Sequence, residues 1–156
     1  MAVHLTSSGL SMPASISASG DANTLDDYEE GAWTPNIIGS GGSAGTHANV
    51  GREGDYVKVG TMIYFTFYAY VSNVGSYSGN LRVTGMPFTN TGFGNVTTIV
   101  VGAHSMNNAA MIAAGISGAA SYISFMKGAY QQTLVPWSDV GIGRSFSLTG
   151  TYHLSG

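Results

Sequence analysis

The clearest pattern in the chain runs from Met62 to Val71, where apolar and polar positions alternate residue by residue. Ile63, Phe65, Phe67, Ala69 and Val71 fall on one face of an extended segment, and Tyr64, Thr66, Tyr68 and Tyr70 on the other. A period of two marks a half-buried β-strand. The first face reads as core. The second is amphipathic, suited to solvent, a ligand or a partner subunit. Arg144 to His153 repeats the pattern, with Phe146, Leu148 and Tyr152 pointing one way and Ser147, Thr149 and Thr151 the other. Shorter strands are expected at Leu81–Thr84, at the β-branched stretch Val96–Ala103, at Tyr122–Met126 and at Gln132–Val135. Ala109–Ala120 has the alanines of a helix, but Gly115 and Gly118 interrupt it, so it too is read as strand.

The segments between these strands carry turn chemistry. Ser72–Ser76 and Thr89–Asn95 read as turns, and Gly39–Gly51 as a flexible loop rich in Gly and Ser. Gly85-Met86-Pro87-Phe88 ends a strand, because proline cannot donate to a sheet ladder. Ile37-Ile38 is expected to continue a first strand begun near Trp33, itself read as a core anchor. Residues 1–22 are small and polar with isolated apolar side chains, which predicts an extended arm or a tail, followed by one β domain over 23–156. Many short strands joined by Gly-rich turns argue for an all-β sandwich or barrel. No long internal repeat is evident, which disfavours a solenoid.

Composition changes this picture in one respect. The 156 residues suit a single domain, and 44% hydrophobic residues can fill its core. Charged residues make up only 8%, against roughly 25% in a typical soluble domain. So few charges suit a chain that hides surface in an oligomer or a larger assembly. The net charge is −3 with no Lys/Arg cluster, which argues against nucleic-acid binding. No apolar run reaches the roughly 18 residues of a membrane span, and residues 1–4 lack the features of a signal peptide. There is no cysteine, so disulfides and thiolate metal sites are excluded.

Catalytic signatures are weak, and the expectation is a protein that is not an enzyme and carries no cofactor or metal. Gly41-Gly42-Ser43-Ala44-Gly45 fits G-x-S-x-G, but a nucleophile elbow needs a strand before it and a helix after it. Asp26, Asp27, Glu29 and Glu30 are acidic neighbours, and neighbours cannot flank a sugar from opposite faces as glycosidase carboxylates do. The run, opening at Asp21, reads as a solvated acidic turn, and its spacing does not match an EF-hand. His4, His47, His104 and His153 are scattered without metal-binding spacing. Asn95-Val96-Thr97 fits a glycosylation sequon but has no secretion signal beside it. Aromatic and amide residues flank the short strand near Gln132, and Tyr77 sits near Asn73 and Asn80. Tyr77, Tyr130, Gln131, Gln132, Trp137 and Asp139 are therefore the candidate contacts for a saccharide or protein ligand. Subunit packing or core is the competing use of the same residues, and the preferred one.

The run Asn23-Thr24-Leu25-Asp26-Asp27-Tyr28-Glu29-Glu30-Gly31-Ala32-Trp33-Thr34-Pro35 resembles a segment of bacteriophage tail fibre and tailspike proteins that opens a C-terminal β-sandwich domain. Further similarities follow in order: Gly54-Asp55-Tyr56-Val57-Lys58-Val59-Gly60, the aromatic strand Met62–Val71, Gly79-Asn80-Leu81 with Gly85-Met86-Pro87-Phe88, and Phe146–Tyr152. Ala32 departs from the family's usual Thr or Ser. The resemblance covers about Ala22 to His153. It implies a homotrimeric, jelly-roll-like antiparallel sandwich on the exterior of a virion, and it supplies no catalytic site. Family members often carry this domain at the end of a long fibre, whereas this chain opens at Met1. The expectation is a fragment, or a short protein that docks on other virion proteins through Met1–Asp21. The first reading is a tail fibre or tail tip module that binds host glycan; the alternative is a capsid decoration (cement or head fibre) protein held by the arm; a depolymerase fragment is the least favoured.

Overall fold

The computed structural model describes residues 4–11, 21, 27–46, 48–89, 97–104, 111–116, 121–127 and 133–154. Two strands, β1 (His4–Thr6) and β2 (Gly9–Ser11), pair with each other in an antiparallel hairpin, Leu5 opposite Leu10. The arm expected over residues 1–22 thus contains a folded hairpin. The remaining strands are β3 (Tyr28–Trp33), β4 (Asn36–Ser43), β5 (Ala48–Val59), β6 (Met62–Asn73), β7 (Ser76–Thr84), β8 (Thr97–His104), β9 (Met111–Ile116), β10 (Tyr122–Lys127), β11 (Thr133–Leu134) and β12 (Arg144–His153). A single 3₁₀ turn, Trp137–Asp139, precedes β12, and no α-helix occurs among the described residues.

The strands form two antiparallel five-stranded sheets. The first has the order β3-β5-β6-β12-β8. The second runs β11-β10-β7-β4, with β9 on β10. Just past β11, Val135 bridges β10 and β7: its amide donates to the Phe125 carbonyl (2.9 Å), and its carbonyl accepts from the Leu81 amide (2.8 Å). Asn49 Nδ2 joins the two sheets at one side, donating to Asn36 Oδ1 (2.7 Å) and the Ile37 carbonyl (3.0 Å).

The alternation along β6 and β12 is realised as expected. Ile63, Phe65, Phe67, Ala69 and Val71 are buried, as are Phe146, Leu148 and Tyr152. Register places Phe146 opposite Ala69, Leu148 opposite Phe67 and Tyr152 opposite Ile63. Ile37, Leu81, Val83, Ile123 and Phe125 of the second sheet complete the core. Phe125 and Phe146 meet across the sheets with ring centroids 6.3 Å apart. Each such side chain removed from water contributes about 1.5–3 kcal/mol.

Three expectations need correction. Gly39–Gly51 is not a loop: β4 runs on to Ser43 and β5 begins at Ala48. Its glycines let β7 approach closely, since a Cβ on Gly39 would meet the Ser78 carbonyl oxygen at 2.5 Å. The acidic run is not all turn, because Tyr28, Glu29 and Glu30 lie in β3 and pair with Val59, Lys58 and Val57. Ile37-Ile38 does not extend the strand that holds Trp33. The chain crosses at Thr34-Pro35 from the first sheet to the second, and proline ends the first ladder because it has no N–H to donate.

Candidate functional site

On the inner face where β3 meets β5, glycines and aromatic rings alternate across the strands. Trp33 lies opposite Gly54, and Tyr56 opposite Gly31. A Cβ at Gly54 would meet Trp33 Nε1 at 2.5 Å, and one at Gly31 would meet the Tyr56 hydroxyl at 2.8 Å. Each ring therefore covers the bare backbone of its neighbour. Trp33 Nε1 donates to the Thr66 carbonyl (3.2 Å), and its ring meets Phe65 and Phe67 edge-on. The Tyr56 hydroxyl donates to Glu29 Oε1 (2.5 Å), and Lys58 is paired with Asp27. Hydrogen bonding to Glu29 raises the Tyr56 phenol above its ordinary pKa, and Glu30 does the same to Tyr28. Tyr56 and Lys58 both sit against Phe88, whose carbonyl accepts from the Tyr152 hydroxyl (3.0 Å). The motif residues thus build a structural corner.

The loop residues proposed as ligand contacts have other surroundings. Trp137 is only 4% exposed and belongs to the core, with the half-buried Tyr77 ring edge-on to it at 5.5 Å. Asp139 is ion-paired with Lys127 at 2.5 Å. Tyr130, Gln131 and Gln132 lie outside the described residues. Tyr77 and Trp137 are brought together, but their contact is one of packing.

Open aromatic surface lies instead on the outer face of the first sheet. Tyr64 is 49% exposed and Tyr68 is 44% exposed. They stand on one face of β6, about 13 Å apart along the strand. Register builds three rows across β5, β6 and β12: Val57–Tyr64–Thr151, Asp55–Thr66–Thr149 and Glu53–Tyr68–Ser147. Thr149 Oγ1 lies within hydrogen-bond distance of the Tyr64 hydroxyl (3.0 Å) and the Phe65 carbonyl (3.2 Å). Thr66 Oγ1 donates to the Leu148 carbonyl (3.2 Å). These bonds fix the floor between the tyrosines. A β-bulge between Val50 and Glu53 disturbs β5 beside Tyr68. Next to it a cleft of about 400 Å³ opens between Ala32–Thr34 and Arg52–Asp55. Bulges re-aim side chains in this way at sheet edges and sites.

This arrangement offers ring faces, neutral hydroxyls and two carboxylates on a rigid sheet. It suits stacking and hydrogen bonding to a polar ligand such as a saccharide. Among the described residues no group of three His, Cys, Asp or Glu side chains could hold a metal ion, and no helix is long and apolar enough to cross a membrane. The sequence pattern had already set Tyr64 and Tyr68 on the polar face of β6. What it missed was that β5 brings Glu53 and Asp55 alongside them, because Gly51 to Asp55 has no apolar–polar alternation of its own to mark it as a strand.

The fold that carries this face is a two-sheet antiparallel sandwich, and it is similar to part of a solved phage tailspike. The particular neighbour is the Dettilon tailspike protein, whose crystal structure superposes with a TM-score of 0.66 over 80% of this chain at 20% identity. The chain spans 23% of that tailspike's length. What the two share is the fold. No protein-family model and no curated protein matches the chain.

Proposed function

We propose that the chain is a non-enzymatic structural module of a bacteriophage virion. In this reading it is a homotrimeric, jelly-roll-like tail fibre or tail tip domain on the particle's exterior, and it holds host-surface glycan on the Tyr64–Tyr68 face. The observation that carries the reading is the pair of half-exposed tyrosines in a hydroxyl-lined sheet face, on a sandwich with a tailspike fold. Tyrosine gives large rigid contact area at low entropy cost. The purified protein should adsorb saturably to host cells. Tyr64→Ser with Tyr68→Ser should weaken adsorption about tenfold or more without changing the melting temperature. Normal adsorption by that variant would remove the site. Host polysaccharide incubated with the protein should keep its molar mass; shortening of the polymer would overturn the non-enzymatic reading.

One observation favours a second reading. In the β1–β2 hairpin Leu5 is 86% exposed and Leu10 is 58% exposed, and they form a cross-strand pair. An isolated hairpin is marginal in water, so this one suits docking on another virion protein. On a capsid it would make the chain a decoration protein. Deleting residues 1–20 should then abolish attachment to shells. Continued decoration by the truncated protein would end this reading.

A further inference from the structure

We propose that the Tyr64–Tyr68 face takes a glycan that carries cationic amino groups, in preference to an acidic or fully N-acetylated one. The proposal rests on the glycan-binding reading above and adds the charge of the ligand. Its ground is the partnering of the acidic side chains. Asp27 is paired with Lys58 and Asp139 with Lys127. Glu29 accepts from Tyr56, and Glu30 from Tyr28. Asp21 also has a partner. Glu53 and Asp55 have no hydrogen-bond or ion-pair partner among the described residues.

In a chain so poor in charge, the two carboxylates without a partner among the described residues fall together. Both are exposed on the tyrosine face, Glu53 in register with Tyr68 and Asp55 with Thr66. Both line the cleft beside Tyr68. Like charges two residues apart on one strand face repel, and a cation between them relieves that repulsion. A sugar ring stacked on Tyr68 carries its substituents toward these two acids. An ammonium group there gains charge-assisted hydrogen bonds, whereas a carboxylate or sulfate is repelled. Tyrosine faces add the same preference, since the ring quadrupole attracts cations. Arg52, the basic residue of the cleft, forms no ion pair with either acid.

The test uses the full chain and three oligosaccharide probes of equal length: a chitosan oligomer with protonated free amines, its fully N-acetylated counterpart, and an oligogalacturonate. Calorimetric titration should show the amine form binding roughly tenfold more tightly than the N-acetylated form, with the difference shrinking as salt rises. Glu53→Gln with Asp55→Asn should erase that difference and leave the melting temperature unchanged. The proposal is overturned if the N-acetylated or acidic probe binds as tightly as the amine form. It is also overturned if Tyr68→Ser changes the native mass of the assembly, because the face is then covered by a second copy of the chain. Host-cell adsorption that depends on Tyr64 and Tyr68, with no preference among the probes, defeats this inference alone. Adsorption indifferent to the tyrosines defeats the glycan-binding reading as well.

Discussion

Trp33 is held where it is by a side chain that its neighbour lacks. Gly54 leaves room for the indole ring, which then reaches the Thr66 carbonyl and two phenylalanines. Gly54→Ala should cost about 1–3 kcal/mol through overpacking, measured by urea denaturation, because a Cβ there cannot coexist with the ring in place. Tyr152 is the other residue with a decisive environment. Burial pushes its phenol up to about 12 from 10.0, while its hydroxyl holds the Phe88 backbone. The raised value means that the folded state favours the protonated form. That stabilisation is complete below pH 10 and is lost as pH rises through about 12. Denaturation across this window should show wild-type stability falling more steeply than that of Tyr152→Phe. Trp33 as a core anchor was legible from its place beside Pro35. Packing or core was also the preferred use of Trp137, but which of the two was not legible, because a 3₁₀ turn between Pro136 and Val140 carries no periodic signal.

Among the strands, legibility followed side-chain alternation. β6 and β12 could be placed from sequence because large apolar residues repeat at every second position. β4 could not, since Gly39, Ser40, Gly41, Gly42 and Ser43 have little hydrophobic contrast and the strand is set by its partner β7. β3 was half-hidden because its acids resemble a solvated turn until β5 is laid beside them. The β1–β2 hairpin is a small sheet whose strands, among the described residues, pair only with each other. Removing residues 1–20 should therefore leave the melting temperature of the sandwich unchanged, as followed by circular dichroism. A large drop would mean that the hairpin packs on the sandwich it precedes.

At the scale of the molecule, the all-β class and the sandwich followed from strand count and turn chemistry, and the tailspike-like fold is what the motif resemblance implied. The assembly proposed for the chain follows from its scarce charge: with 8% charged residues, subunit contacts would cover surface that a monomer has to solvate. Native mass spectrometry should give three times the 16.1 kDa chain mass; a monomer would remove the trimer from the proposal. The few charges are also unevenly placed. Glu29 and Glu30 stand on β3, the outermost strand of its sheet among the described residues, and an open amide and carbonyl row at such an edge recruits strands from other molecules. Two carboxylates at that rim discourage open-ended stacking of sheets. In a chain with so little charge elsewhere, these two carboxylates work against open-ended pairing at that rim at high concentration.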